Sequence, residues 1–194
     1  MNKIKLQTIG LAVAIGLASL TLAGCTTTPE GSEASGPTAR SAMEHEVDAT
    51  LSRLYSTVPG SREFVQRAAG VLVFPAVVGG SFVVGAEHGR GALREGGRTV
   101  GYYSTTAGSI GFQAGGQSKA VVYVFNTREA LQKFKNSNGW TAGADATVAV
   151  GKVGANGSID TQTAQQAVTS FILTNVGLEA GASVGAARIM PIRL

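Results

Sequence analysis

A group of arginines in the middle of the chain has a spacing that suggests anion binding. Arg90, Arg94 and Arg98 recur at every fourth position within a glycine-rich stretch. A guanidinium is a planar fork of N–H donors that matches the oxygens of a phosphate, and a loop can present several such forks together. The alternative is a solvated hairpin in which Glu87 and Glu95 are the neighbours of these arginines.

A second candidate patch lies on a predicted short helix. It contains Arg62 and Arg67, and Lys133 and Lys135 could join it from a later helix. We expect one of the two patches to bind anionic lipid headgroups. Such binding should weaken as the salt concentration rises, because mobile ions screen exposed charges.

The single cysteine lies where a bacterial lipoprotein carries its lipid. Residues 22–25 read Leu-Ala-Gly-Cys and resemble a lipobox, and they close an uncharged apolar stretch over residues 9–22. This pattern predicts a secretory signal at residues 1–24. The resemblance implies diacylglycerol on the Cys25 sulfur and an acyl chain on its amino group, which would anchor the chain without any other cofactor. The alternative is an ordinary signal with an incidental cysteine.

The residue after Cys25 and the charge balance bear on location and partners. Thr26 stands where an Asp would be the cue for retention in the inner membrane, so the resemblance implies the outer membrane of a Gram-negative bacterium, on either face. Removal of residues 1–24 takes away Lys3 and Lys5 and no acid, which lowers the formal net charge from +4 to +2. That balance does not predict nucleic-acid binding. A single cysteine also excludes an intrachain disulfide.

Residues that could catalyse a reaction are few and poorly spaced. Lys152 is not followed by the hydroxyl residue of a phosphate loop. Ser109 lies in Ala-Gly-Ser-Ile-Gly, a near miss of a nucleophile elbow, but the residues that follow it alternate like a strand. His45 and His88, 43 positions apart, are the only histidines, and they lack the spacing of metal ligands. The sequence therefore predicts neither an enzyme nor a metal site.

One acid stands apart from the others. Asp145 lies in Gly-Ala-Asp-Ala-Thr and is a candidate structural or functional acid. The favoured interpretation is a turn residue or buried acceptor whose carboxylate orients backbone N–H groups.

The elements that must position these residues are helices at the start of the domain and strands beyond it. Ser41 and Glu44 have the spacing of a capping box and predict a first helix that ends near Pro59. The apolar side of this helix is predicted from residues at helical spacing: Met43, Val47, Leu51, Leu54, Tyr55 and Val58. A second, short helix is predicted after Ser61, and a third is opened by residues 126–129. Runs of β-branched and aromatic residues predict strands at residues 71–74, 81–84, 99–103, 110–113, 120–125, 147–150, 170–173 and 182–192.

Composition and pattern together define a fold class. Of the chain, 44% is hydrophobic and 14% is charged, which excludes a disordered protein and a charged coiled coil. We predict an α+β fold, predominantly antiparallel β, as a curved sheet, sandwich or barrel, with two or three short peripheral helices. Residues 25–40 would be the lipidated cysteine and a flexible tether, and residues 41–194 a single domain. Uncharged residues 68–86 are predicted as two strands joined by a turn, with a spanning helix as the alternative.

Several segments, taken in order, resemble the SYLF domain of yeast and animal endocytic adaptors and of a group of bacterial lipoproteins. They are residues 69–75, the glycines at 79, 80, 85, 89 and 91, and residues 111–117, 121–127, 143–154 and 175–181. The resemblance covers about residues 60–192 and implies a lipid-associated domain. Eukaryotic members bind phosphoinositide-bearing membranes, and some bind actin filaments.

Two departures limit what the resemblance implies here. The eukaryotic proteins place a basic amphipathic helix on the membrane, whereas the first helix here opens with Glu44, Glu46 and Asp48. The eukaryotic partners are also cytosolic, whereas this chain is expected to be exported. Actin is therefore not expected as a physiological partner.

The sequence thus predicts a non-enzymatic outer-membrane lipoprotein whose SYLF-like domain binds phospholipid or another anionic envelope component. The alternative is a structural or interaction lipoprotein that binds a protein partner and touches the membrane only through the acylated Cys25. The oligomeric state does not follow from the sequence.

Overall fold

The computed structural model describes residues 36–80, 84–110, 117–151, 159–160, 163, 165–175, 177–178 and 186–194. Contacts group these residues in one compact unit. The predicted signal at residues 1–24, the lipidation site Cys25 and Lys152 lie outside the described residues. So do residues 81–83, 111–113 and 182–185 of three predicted strands.

Three helices are present in the described part of the chain: α1 (Pro37–Thr57), α2 (Ser61–Arg67) and α3 (Arg128–Lys135). The prediction that Ser41 caps α1 is wrong, because the helix begins at Pro37 and Gly36 occupies the capping position. Proline suits a first helical turn, since its φ is already helical and a backbone N–H at this position would have no partner within the helix. With 21 residues, α1 is also longer than the short helices that we expected.

The described strands form one curled, mostly antiparallel sheet. They are β1 (Gly70–Gly80), β2 (Val84–Glu95), β3 (Arg98–Ile110), β4 (Gln117–Phe125), β5 (Trp140–Thr141), β6 (Val148–Val150), β7 (Val168–Thr174), β8 (Gly177–Leu178) and β9 (Ala187–Ile192). Their order is β5-β9-β3-β2-β1-β4-β7-β6, with β8 beside β7, and only β6 and β7 run parallel. The predicted fold class, α+β with a curved antiparallel sheet, is confirmed.

The uncharged run over residues 68–86 contributes to β1 and β2, as the favoured interpretation predicted. Within the described ranges, none of the helices has both the length and the apolar character needed to cross a membrane.

The glycine-rich stretch that carries the candidate arginines is a long hairpin rather than a loop. β2 and β3 pair along their length and are joined by Gly96 and Gly97, whose φ angles of 55° and 80° are those of a tight two-residue turn. A side chain on Gly91 would overlap the backbone of Val73, where β1 shifts register at a bulge. The hairpin therefore needs glycine at its turn and where two strands approach closely, as interpreted from the sequence.

The sheet has two buried faces, because successive side chains of a strand point to opposite sides. We call the first the aromatic face. It is covered by α3 and holds a cluster that includes Phe74, Tyr123, Phe125, Phe134 and Trp140. We call the second the helix face. There the predicted apolar side of α1, including Val47, Leu51 and Leu54, packs on a cluster that includes Val71, Val73, Val122, Val124 and Phe171.

Candidate functional site

A cavity of about 510 Å³ opens on the helix face between α1, α2 and the β2–β3 turn. Its lining comes from α1 (Asp48, Leu51, Ser52, Tyr55), from α2 and the residue after it (Val65, Gln66, Ala68), from the start of β1 (Gly70, Val71) and from the hairpin (Arg94, Gly96, Gly97). Ligand pockets in proteins have this size and this mixture of apolar walls with a few polar groups.

Arg94 joins the hairpin to α1 at the wall of the cavity. Its Nη2 donates to Glu44 Oε2 at 2.8 Å, and its Nη1 donates to Asp48 Oδ1 at 2.5 Å. Only 12% of the Arg94 side chain is exposed. Its Nε is buried and has no hydrogen-bond partner within the part of the chain that the structure describes.

Glu44 collects donors from two strands. Besides Arg94, its carboxylate accepts from the Thr99 hydroxyl at 2.8 Å and from the Tyr102 hydroxyl at 3.1 Å. Burial alone would raise the pKa of the Glu44 carboxyl, but these hydrogen bonds and the Arg94 charge outweigh burial and lower the pKa. Burial also opposes the charge of Arg94, and its two carboxylate partners outweigh burial and raise the pKa of the guanidinium.

Two arginines that belong to α1 itself also hold this helix against the rest of the domain. Arg40 Nε donates to the Leu194 carbonyl at 2.8 Å, and Arg53 donates to the Thr174 carbonyl. Hydrogen bonds from a charged donor are stronger than neutral ones. Helix α1 is therefore fixed at several points along its length.

Tyr55 lines the cavity, and charged residues of three elements influence the pKa of its hydroxyl. The guanidinium carbon of Arg62 lies 4.4 Å from the centre of the Tyr55 ring, within the range of a cation–π contact. Burial raises the pKa of the Tyr55 hydroxyl, the charges of Arg62 and Arg94 lower it, and the charge of Asp48 raises it further. These three charges therefore lie within electrostatic reach of one hydroxyl.

Of the five candidate arginines, Arg94 lines the cavity and Arg62 contacts the ring of the lining residue Tyr55. Arg98 is exposed and pairs in register with Glu95, which faces α3 and not α1. Arg67 is exposed on α2, where its Nε donates to the Glu63 carbonyl at 3.2 Å.

Arg90 lies further along the hairpin. It pairs in register with Ala76 and Ser104, and by strand alternation it shares a sheet face with Arg94. Arg90, Arg94 and Arg98 are therefore not presented together by one loop: they lie along a regular hairpin, as in the alternative interpretation, and on both faces of the sheet.

The two lysines do not join the Arg62 and Arg67 patch. Lys133 and Lys135 lie on α3, which covers the aromatic face, whereas α2 packs on the helix face. Lys135 Nζ is 2.7 Å from Glu95 Oε1. The sheet thus separates these lysines from the arginines of α2.

Asp145 belongs to a turn. Its Oδ2 accepts from the backbone N–H of Thr141 at 2.6 Å, and its own N–H donates to the Thr141 carbonyl at 2.9 Å. The side chain is exposed and not buried. The contact is that of a carboxylate that orients a backbone amide.

The structure also places the residues that the sequence offered for catalysis. Ser109 lies inside β3 opposite Gly85 and not on a strand–turn–helix elbow. The His88 ring Nδ1 is 3.4 Å from the Thr106 hydroxyl, and His45 is exposed on α1. Among the residues that the structure describes, no group of three or more His, Cys, Asp or Glu is placed to hold a metal ion.

Sequence reasoning missed most of the cavity. Glu44 and Asp48 are four residues apart on one helix, a spacing that places them on the same side. Their common partner Arg94 is 50 and 46 residues away in the sequence, and nothing in the local pattern indicates it. Tyr55 was expected only as part of the apolar side of α1.

Comparison with known families adds to this geometry. The model of a family described as Ysc84, Las17-binding protein actin regulator, matches residues 106–192. Over this span the chain is similar to the SYLF (Ysc84) family, and the predicted resemblance to that family is confirmed. A comparison with curated proteins gave no match. Every residue that lines the cavity precedes residue 106 and so lies outside the matched span.

Proposed function

We propose that the protein is an exported lipoprotein, anchored through Cys25 in the outer membrane of a Gram-negative bacterium. Its SYLF domain would be a non-enzymatic module that binds phospholipid or another anionic component of the envelope. The cavity beside Arg94 carries the binding part of this proposal, because it combines apolar walls with the Arg94 guanidinium and with Tyr55, whose ring is contacted by the guanidinium of Arg62. The lipobox at residues 22–25 supports the anchor.

The two kinds of lining suit the two parts of a phospholipid. Leu51, Val65 and Val71 offer apolar surface to the glycerol and the first acyl methylenes of a lipid. Burial of each methylene contributes about 0.8 kcal/mol to the binding free energy. A guanidinium offers N–H donors to phosphate oxygens. Such a site would hold its ligand without making or breaking a covalent bond, so the proposed function needs no catalytic residue.

The anchor is tested by the variant Cys25→Ser. We expect the wild-type protein in the membrane fraction and the variant in the soluble fraction, because the two or three acyl chains are lost with the thiol. Thr26→Ser, which also introduces a serine but leaves the cysteine, is the matched control and should stay with the membrane. A Cys25→Ser protein that remains membrane-bound with wild-type gel mobility would refute the anchor.

Binding by the domain itself is tested with the soluble Cys25→Ser chain and phospholipid vesicles. The whole chain is needed, because a truncation at residue 40 would remove the first turn of α1. We expect the protein to float with vesicles and to dissociate as salt rises, since the phosphate contact is electrostatic. Absence of flotation with vesicles of any composition would refute lipid binding by the domain.

A second candidate function is favoured by the family description, which names a protein-binding regulator. In this case the SYLF domain contacts a protein partner, and the membrane contact comes only through Cys25. The two experiments above separate the candidates. This second function predicts a wild-type protein in the membrane fraction and a Cys25→Ser chain that does not float.

A further inference from the structure

The polar end of the cavity carries charges of both signs. The positive charge of Arg94 is neutralised there, because Glu44 and Asp48 both bind its guanidinium. The three groups together have a formal charge of −1. A ligand with only negative charge would therefore meet the Asp48 carboxylate in the lining and an arginine already neutralised by Glu44 and Asp48, and like charges in contact oppose binding.

Asp48 has an accessible carboxylate oxygen at this end. Its side chain is 64% exposed, and it lines the cavity. Arg94 occupies Oδ1, and within the described ranges Oδ2 has no hydrogen-bond partner. A primary ammonium has three N–H donors and no acceptor, so it suits an exposed carboxylate oxygen.

Arg62 supplies the opposite charge from a different element. Its guanidinium carbon lies 4.4 Å from the centre of the Tyr55 ring, and a guanidinium has five N–H donors in a fork that matches phosphate oxygens. Arg62 and Asp48 both act on the Tyr55 hydroxyl, so a cation and an anion lie near the same lining residue. A ligand that fits both must itself carry a phosphate and an ammonium.

We infer that the cavity binds a zwitterionic headgroup in which a primary ammonium neighbours a phosphate, as in phosphatidylethanolamine. Asp48 would receive the ammonium, Arg62 the phosphate, and Leu51, Val65 and Val71 the apolar part of the lipid. This inference rests on the proposed function and names the class of phospholipid that the domain selects.

Headgroup preference is measured with the Cys25→Ser chain and three kinds of vesicle: phosphatidylcholine alone, and phosphatidylcholine with an equal fraction of phosphatidylethanolamine or of phosphatidylglycerol. We expect binding to be about tenfold tighter with phosphatidylethanolamine, because choline has no N–H to donate and phosphatidylglycerol has no ammonium. A preference for phosphatidylglycerol would overturn the inference and leave the proposed function standing. Absence of binding to all three would overturn both.

Two variants with matched controls tie the preference to the cavity. Asp48→Asn removes the charge and keeps an oxygen for Arg94, and Glu46→Gln makes the same charge change at an exposed position of α1 that does not line the cavity. Arg62→Gln is compared with Arg67→Gln on the same helix. We expect Asp48→Asn and Arg62→Gln to lose the phosphatidylethanolamine preference and each control to keep it, all with wild-type circular dichroism. Equal effects within either pair would overturn the assignment.

Soluble competitors separate the headgroup from the lipid surface. Phosphoethanolamine should displace the chain from phosphatidylethanolamine vesicles, but only at high concentration, because it leaves the apolar walls unfilled. Inorganic phosphate at the same concentration should displace less. Equal displacement by phosphate, or none by phosphoethanolamine, would overturn the inference.

Discussion

The two faces of the sheet are built from different chemistry. On the aromatic face, the rings of Phe125, Phe134 and Trp140 meet at centroid distances of 4.9 to 6.1 Å in tilted and edge-to-face arrangements. On the helix face, the buried side chains are mostly aliphatic, and α1 is additionally held by the Glu44, Asp48 and Arg94 cluster. One face is thus held mainly by ring packing, and the other combines packing with a cluster of three charged side chains and a cavity.

This difference assigns separate roles to the two faces. Ring packing depends little on pH or salt, so the aromatic face should give the domain a constant part of its stability. Ion pairs depend on both, so the attachment of α1 can respond to its surroundings. The cavity lies on the responsive face, between elements joined by charged contacts.

The largest expected effect comes from Trp140→Ala, which removes the centre of the aromatic face. Trp140 is 1% exposed and contacts Tyr123, Phe125 and Phe134. We expect a loss of about 3–5 kcal/mol in the free energy of unfolding, from urea titration followed by circular dichroism. The loss should be the same at pH 5 and pH 7.

Trp140→Phe is the control and should lose much less stability, because most of the ring contact remains. If Trp140→Ala does not fold, Phe134→Leu, with a cost of about 1 kcal/mol, serves in its place. A strongly pH-dependent loss in either variant would contradict the view that ring packing is the main contribution to the stability of this face.

The next largest effect is expected for Arg94→Leu on the helix face. The substitution leaves Glu44 and Asp48 without their shared cation, and we expect a loss of about 2–3 kcal/mol in the free energy of unfolding. Arg98→Leu is the control on the same hairpin and should change stability by less than about 0.5 kcal/mol, because Arg98 is exposed. Equal losses in the two variants would show that Arg94 does not hold α1.

The sequence was sufficient for elements whose signal is local. The apolar side of α1, the strand β4 and the helix α3 all follow from spacing within one segment, and Thr127 caps α3 through its side chain as the residues suggested. β2 was mostly missed, because a glycine-rich segment has a low strand propensity of its own. It is a strand because β1 and β3 supply its hydrogen bonds on both sides.

The candidate site was less predictable than the fold. The arginine spacing drew attention to Arg94, and Arg62 was singled out separately, but nothing local connects them. The cavity is assembled from α1, α2, β1 and the hairpin, and the ion pairs of Arg94 span 46 and 50 residues of sequence. Contacts of such separation are decided by tertiary packing, which residue spacing does not encode.

A smaller effect with a defined pH dependence is expected for Glu44→Gln. The native pKa of Glu44 lies below its ordinary value of 4.5. Its contribution to stability is therefore fully present above about pH 4.5 and is lost as the pH falls through the native pKa. We expect the variant to lose about 1–2 kcal/mol at pH 7, with a shallower decline in stability on acidification than the wild type.

Glu46→Gln is the matched control, since Glu46 is exposed on the same helix. Its stability profile between pH 3 and pH 7 should overlay that of the wild type. A Glu44→Gln profile parallel to the wild type throughout this range would show that the carboxylate of Glu44 does not make the attachment of α1 pH-dependent.

The smallest effect is expected at the ion pair on the aromatic side, where Lys135 Nζ lies 2.7 Å from Glu95 Oε1. Both side chains are about one-third exposed, so Lys135→Ala should cost no more than about 0.5 kcal/mol, and less at high salt. Lys133→Ala, on the same helix, is the control for lost helix surface charge. If Lys135→Ala instead costs as much as Arg94→Leu, charges would hold α3 as they hold α1, and the contrast between the two faces would disappear.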